Sequence, residues 1–189
     1  MIRRILSGGL VLLALTAAAS AADKPTPIAT IGEKPAEPSV ADVSRAQFER
    51  MKKLAGTWVA ADKDGKPTDK VVSVVKVTAG GSAVQETIFP GGPMEMVSVY
   101  HLDGSDLVMT HYCMLGNQPR MKADTKSPKD QIKFNFAGGT NLDPAKDMHM
   151  HEATLTFVDD DRIEISGVAW VNGKPATDHC GTMKLVRKK

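Results

Sequence analysis

The sequence predicts an all-β domain, an antiparallel meander closing into a barrel of about nine to ten strands, with one short N-terminal helix. Three observations predict it. From Thr57 onward, short apolar and β-branched runs follow one another with a two-residue period. Turn residues sit between the runs: Asp64-Gly65, Gly80-Gly81, Gly91-Gly92, Asp103-Gly104, Gly138-Gly139 and Asn172-Gly173. No segment of helical period separates one run from the next, so parallel βαβ units are excluded. A meander this long must curl on itself to cover its edges.

Taken in order, the chain opens on an export signal. Arg3 and Arg4 precede an uncharged apolar stretch over residues 5–19, and Ala19-Ser20-Ala21 supplies the small residues that a signal peptidase requires. Ser7, Gly8 and Gly9 interrupt that stretch, which falls short of the ~20 strongly apolar residues of a spanning helix. The expectation is therefore a signal peptide at 1–21, a periplasmic or secreted location, and no transmembrane anchor after cleavage. Cleavage removes two arginines and brings the 24 basic residues level with the 22 acidic ones. A balanced charge gives no support for a nucleic-acid partner, which calls for a basic surface.

Residues 22–43, with Pro25, Pro27, Pro35 and Pro38, read as a flexible leader. The domain is expected over 44–189. Ser44 is a candidate helix cap, followed by Phe48, Met51 and Leu54 at helical spacing. Strands are expected over 71–77, 84–89, 96–102, 107–114, 132–136, 153–158, 163–171 and 182–186, besides the run that opens at Thr57. Gly116-Asn117-Gln118-Pro119-Arg120 reads as a polar loop.

The stretch Leu54-Ala55-Gly56-Thr57-Trp58, a short helix entering a Gly-x-Trp on the first strand, resembles the start of lipocalin-like (calycin) barrels. Tyr100-His101-Leu102-Asp103-Gly104, Thr110-His111-Tyr112-Cys113 and Gly116-Asn117-Gln118-Pro119-Arg120-Met121 look like a group of small exported bacterial lipocalin-like proteins. The resemblance spans roughly residues 46–187. It implies the barrel, with a tryptophan plugging one end, and brings no activity with it.

The candidate site follows from strand alternation and side-chain chemistry. Met109, His111 and Cys113 share one face of their strand, and His149 and His151 share another with Leu155 and Phe157. The leading expectation is a barrel that binds a small, largely apolar ligand. His111, Asn117, Gln118 and Arg120 would line its mouth, Tyr100 and Glu86 would offer further polar groups, and Phe134 or Phe136 would lie deeper. Arg120 would favour a ligand with an acidic or acceptor group. For Glu86, Glu95 and Tyr100 a solvated strand face is the reading preferred over a polar lumen. The ten methionines offer adaptable lining or ordinary core.

That reading needs no cofactor. The alternative is a haem or transition-metal site drawing on His111, His149, His151 and His179, with Cys113 and Cys180 as further donors. A third reading is a structural barrel packed shut. Cys113 and Cys180 are equally a disulfide candidate, worth about 4 kcal/mol for a loop of this length. No Gly-x-Ser-x-Gly, phosphate-cradling loop or Cys-x-x-Cys occurs. Nothing therefore supports covalent catalysis or nucleotide use, and His111 is the one general-base candidate.

Overall fold

A computed structural model describes residues 37–176 and 181–189. The expected signal peptide, most of the leader, His179 and Cys180 lie outside those residues, and with them the Cys113–Cys180 pairing.

Helix α1 (Val40–Lys52) begins earlier than the Ser44 cap predicted from the sequence. Ser39 is the N-cap, and its side chain accepts from the Asp42 amide while the Asp42 carboxylate accepts from the Ser39 amide. This reciprocal pair is a capping box, which satisfies amides that the first turn leaves without partners. Ser44 lies inside the helix, on the buried face with Gln47, Phe48 and Met51.

Eleven strands follow in the described residues: β1 (Gly56–Ala61), β2 (Pro67–Thr78), β3 (Ala83–Ile88), β4 (Met96–Asp103), β5 (Asp106–Tyr112), β6 (Gln118–Ala123), β7 (Gln131–Thr140), β8 (His149–Phe157), β9 (Arg162–Val171), β10 (Lys174–Ala176) and β11 (Thr182–Arg187). Each strand from β1 to β9 pairs antiparallel with the next, β11 pairs with both β9 and β1, and the ring closes with ten strands. The short β10 continues along the edge of β9 beside which β11 also runs.

Strand β6 is a correction. The segment read as a loop at 116–120 is a turn only as far as Asn117, and Gln118 already pairs with Thr140 of β7. Pro119 masked the strand, because proline removes a ladder donor. Here it sits at a register shift between Pro119 and Met121, opposite Gly139. A Cβ on Gly139 would come within 2.9 Å of the Gln118 carbonyl oxygen, so glycine is what lets the two backbones approach.

Strand directions place the ends of the barrel. Helix α1 packs on β4 and β5 and bonds to the loop after β6, where Gln47 Nε2 donates to the Asp124 carbonyl at 3.0 Å. Trp58 is wholly buried beside it, and its indole N–H donates to the Leu54 carbonyl at 2.8 Å. Arg187 lies over the Trp58 ring at 4.4 Å and donates to the carbonyls of Ala55 and Lys53. Gly56 has φ +138°, and a Cβ there would sit 3.0 Å from the Arg187 guanidinium. Gly56-Thr57-Trp58 thus closes one end: the glycine admits the arginine and the tryptophan fills the base. Leu107, Ile132, Leu155, Ile163 and Leu185 complete an apolar layer there. The opposite end, where β5 turns into β6 and β8 begins, carries His111, His149 and His151.

Candidate functional site

Between the two ends the interior is polar along one wall. Glu86 of β3 and Tyr100 of β4 are both 7% exposed and face inward, so the solvated-face reading of these residues does not hold. The Tyr100 hydroxyl donates to Glu86 Oε2 at 2.7 Å, and the Ser73 hydroxyl donates to Oε1 at 2.7 Å. Burial pushes the Tyr100 phenol well above its ordinary pKa, and the neighbouring Glu86 carboxylate adds to the effect. A cavity of about 40 Å³ adjoins this pair, lined also by Met109, Phe134, Met51 and Leu54. That is room for about one water molecule, so side chains fill this part of the barrel.

One layer nearer the far end, His111 is fully buried on β5, and its Nδ1 lies 2.9 Å from the Ser98 hydroxyl. Burial lowers its pKa to about 4, so the ring is neutral at neutral pH. Its Nε2 is buried and has no partner among the described residues. A buried polar atom left bare costs about 1–3 kcal/mol.

At the rim, two histidines of β8 meet aromatic rings from two other strands. His149 is fully buried, while His151 occupies a bulge where β8 runs one residue ahead of β9 between Met150 and Glu152. Bulges re-aim side chains, and here the result is a stack. His151 packs against Trp170 at 3.8 Å and 10°, and against Phe136 at 4.8 Å and 21°. His149 Nε2 lies 3.0 Å from His151 Nδ1, and His149 Nδ1 lies 2.8 Å from the Asp147 carbonyl oxygen. The indole N–H of Trp170 is buried and unpartnered. Asn117, in the β5–β6 turn, donates to the Met148 carbonyl at 2.8 Å, and its own side-chain oxygen is buried without a donor.

The remaining predicted site residues fall elsewhere. Arg120 alternates with the buried Pro119 and Met121 and pairs with Thr110 across the ladder, so it points away from the interior, where it forms an ion pair with Asp103. It does not line a mouth. Gln118 locks the strand ends together: it donates to the Gly116 carbonyl, and its oxygen accepts from Thr140 and Asn141. Phe134 is deep and Phe136 belongs to the imidazole stack. Met109 and Met121 are core, whereas Met94 and Met114 are half exposed to solvent. Cys113 is half-buried at the start of the β5–β6 turn. Trp170 and Ser98 join the site through alternation on β9 and β4, a signal legible only once the partner strands are known.

Among the described residues, no group of three or more histidine, cysteine, aspartate or glutamate side chains is arranged to hold a metal ion. No helix among them is long and apolar enough to cross a membrane. No protein-family model matches the chain, and no curated protein matches it either.

Proposed function

We propose that the protein is an exported, lipocalin-like barrel that binds a small, largely apolar molecule at the end carrying His111, His149 and His151. One observation carries this reading. Of the five buried polar side-chain atoms without a partner in the described residues, three belong to this end: His111 Nε2, Asn117 Oδ1 and Trp170 Nε1. Buried polar groups are ordinarily satisfied, and each one left bare costs free energy that a bound molecule can return. The company is aromatic and apolar, which suits a ligand with one polar group on a hydrophobic body. The export signal, and with it a periplasmic or secreted location, is part of the proposal and rests on residues 1–21.

Native mass spectrometry of the protein taken from the periplasm tests this. The expected result is a mature chain beginning near Ala22 with a non-covalent adduct. The adduct should be lost in a Trp170→Phe/His111→Phe variant that still folds. A chain carrying no adduct under gentle ionisation would leave the second reading, a structural barrel packed shut. The small volume of the cavity beside Glu86 favours that reading.

A further inference from the structure

We propose that the molecule bound at the imidazole end carries a hydroxyl or N–H group that donates, in the plane of the ring, to Nε2 of His151. This rests on the ligand-binding reading above and names the polar chemistry that the site selects.

A backbone carbonyl sets the tautomers of this pair. The oxygen of Asp147 can only accept, so His149 Nδ1 at 2.8 Å must carry a proton. In a neutral ring, a proton on Nδ1 leaves Nε2 bare. His149 Nε2 lies 3.0 Å from His151 Nδ1, and that contact is a hydrogen bond only when His151 Nδ1 is the donor. His151 then holds its lone pair at Nε2. Burial, and the neighbouring His149 after it, lowers the pKa of His151, which holds the ring in its neutral form. A carbonyl at one end of the relay thus decides the tautomer at the other, two rings away.

Packing then restricts the approach. Trp170 and Phe136 stack on the His151 ring, so access is through its edge. Nε2 has no hydrogen-bond partner among the described residues. A carboxylate has nothing to donate to this atom and would meet a lone pair with a lone pair. A hydroxyl donates to it and keeps acceptor capacity of its own, which answers the unpartnered indole N–H of Trp170 on the adjacent ring. The selectivity expected from Arg120 is therefore replaced by its opposite, a preference for neutral donors.

The test uses the full mature chain, labelled with ¹⁵N, at about pH 8, where free histidine is neutral. Long-range ¹H–¹⁵N correlation reads the tautomers, and Nδ1–H is expected on both His149 and His151. Phenol and anisole, alike in their ring and oxygen but differing in the O–H, are then titrated. Phenol should shift the His151 Nε2 resonance and bind about tenfold more tightly than anisole, the worth of about one hydrogen bond. Nε2–H on His151, or equal binding of the two probes, overturns the donor requirement while leaving ligand binding in place. Expected tautomers with no response to either probe overturn the ligand-binding reading at this end, and the present inference with it.

Discussion

The two ends of this barrel are closed by different means. At the helix end, Trp58, Met51, Leu54 and the Leu–Ile layer bury apolar surface; the indole N–H is answered by Leu54 and Arg187 by three carbonyls, while Ser44 Oγ and Gln47 Oε1 on the buried face of α1 have no partner among the described residues. At the imidazole end, rings from β7, β8 and β9 meet with polar edges, and three buried atoms, on His111, Asn117 and Trp170, are left bare among the described residues. Apolar burial is non-directional and tolerant, whereas every buried polar atom demands a partner at a defined place. Apolar burial suits the first end to holding the fold together, and the second is the end at which ligand binding is proposed. The wall of Ser73, Glu86 and Tyr100 joins them.

The largest loss of stability is expected at the helix end. Trp58→Ala removes a wholly buried indole and should cost about 3–5 kcal/mol in urea unfolding. A loss below about 1 kcal/mol would show that this end is not the stabilising one. The imidazole end should reveal itself by pH. His111 titrates at about 4 in the folded chain, against an ordinary value of 6.5, so the unfolded chain binds the proton first. Stability is then complete above pH 6.5, falls as the pH drops from there toward 4, and levels off below, for a total of about 3 kcal/mol. Urea midpoints at intervals across this window should show the decline in the native chain, and His111→Phe should flatten it. An unchanged slope in that variant would assign the effect to other groups.

Between the ends, Tyr100→Phe takes one donor from a buried carboxylate and should destabilise by about 1–3 kcal/mol without changing the circular dichroism of the strands. Ser39→Ala, which deletes the helix cap, should cost about 1 kcal/mol in thermal or urea unfolding. The smallest effect belongs to Arg120→Ala. Its ion pair with Asp103 joins side chains 43% and 60% exposed, so about 0.5 kcal/mol or less is expected. Phenol titration should be unaffected; weakened binding would return Arg120 to the site.

Much of the fold is legible along the chain, for a local reason. Alternation and turn residues act over a few neighbours, and they identify the faces of β4, β5 and β8 before any partner strand is known. They also place His111 with Met109, and His149 with His151 and Leu155. The misreadings have local causes too. Pro119 beside Asn117 and Gln118 has the look of a turn and hid β6. Ser39 sits among prolines in what reads as leader, which masks its capping box with Asp42 and makes Ser44 the apparent start of the helix. A loop would leave the direction of Arg120 free, whereas a strand position between Pro119 and Met121 turns it outward.

Most of the strand series, its antiparallel order, the helix at its head and the inward faces of His111, His149 and His151 are legible in the sequence alone, since a two-residue period and turn chemistry are properties of neighbouring residues. Only the tertiary structure decided which inward faces meet. Glu86 finds Ser73 and Tyr100 thirteen and fourteen residues away, across β2, β3 and β4. His151 lies between Phe136 and Trp170 because β7 and β9 flank β8 and a bulge turns its ring toward them. Ladder register and ring closure set those meetings, and no single stretch of chain encodes the distance between two strands.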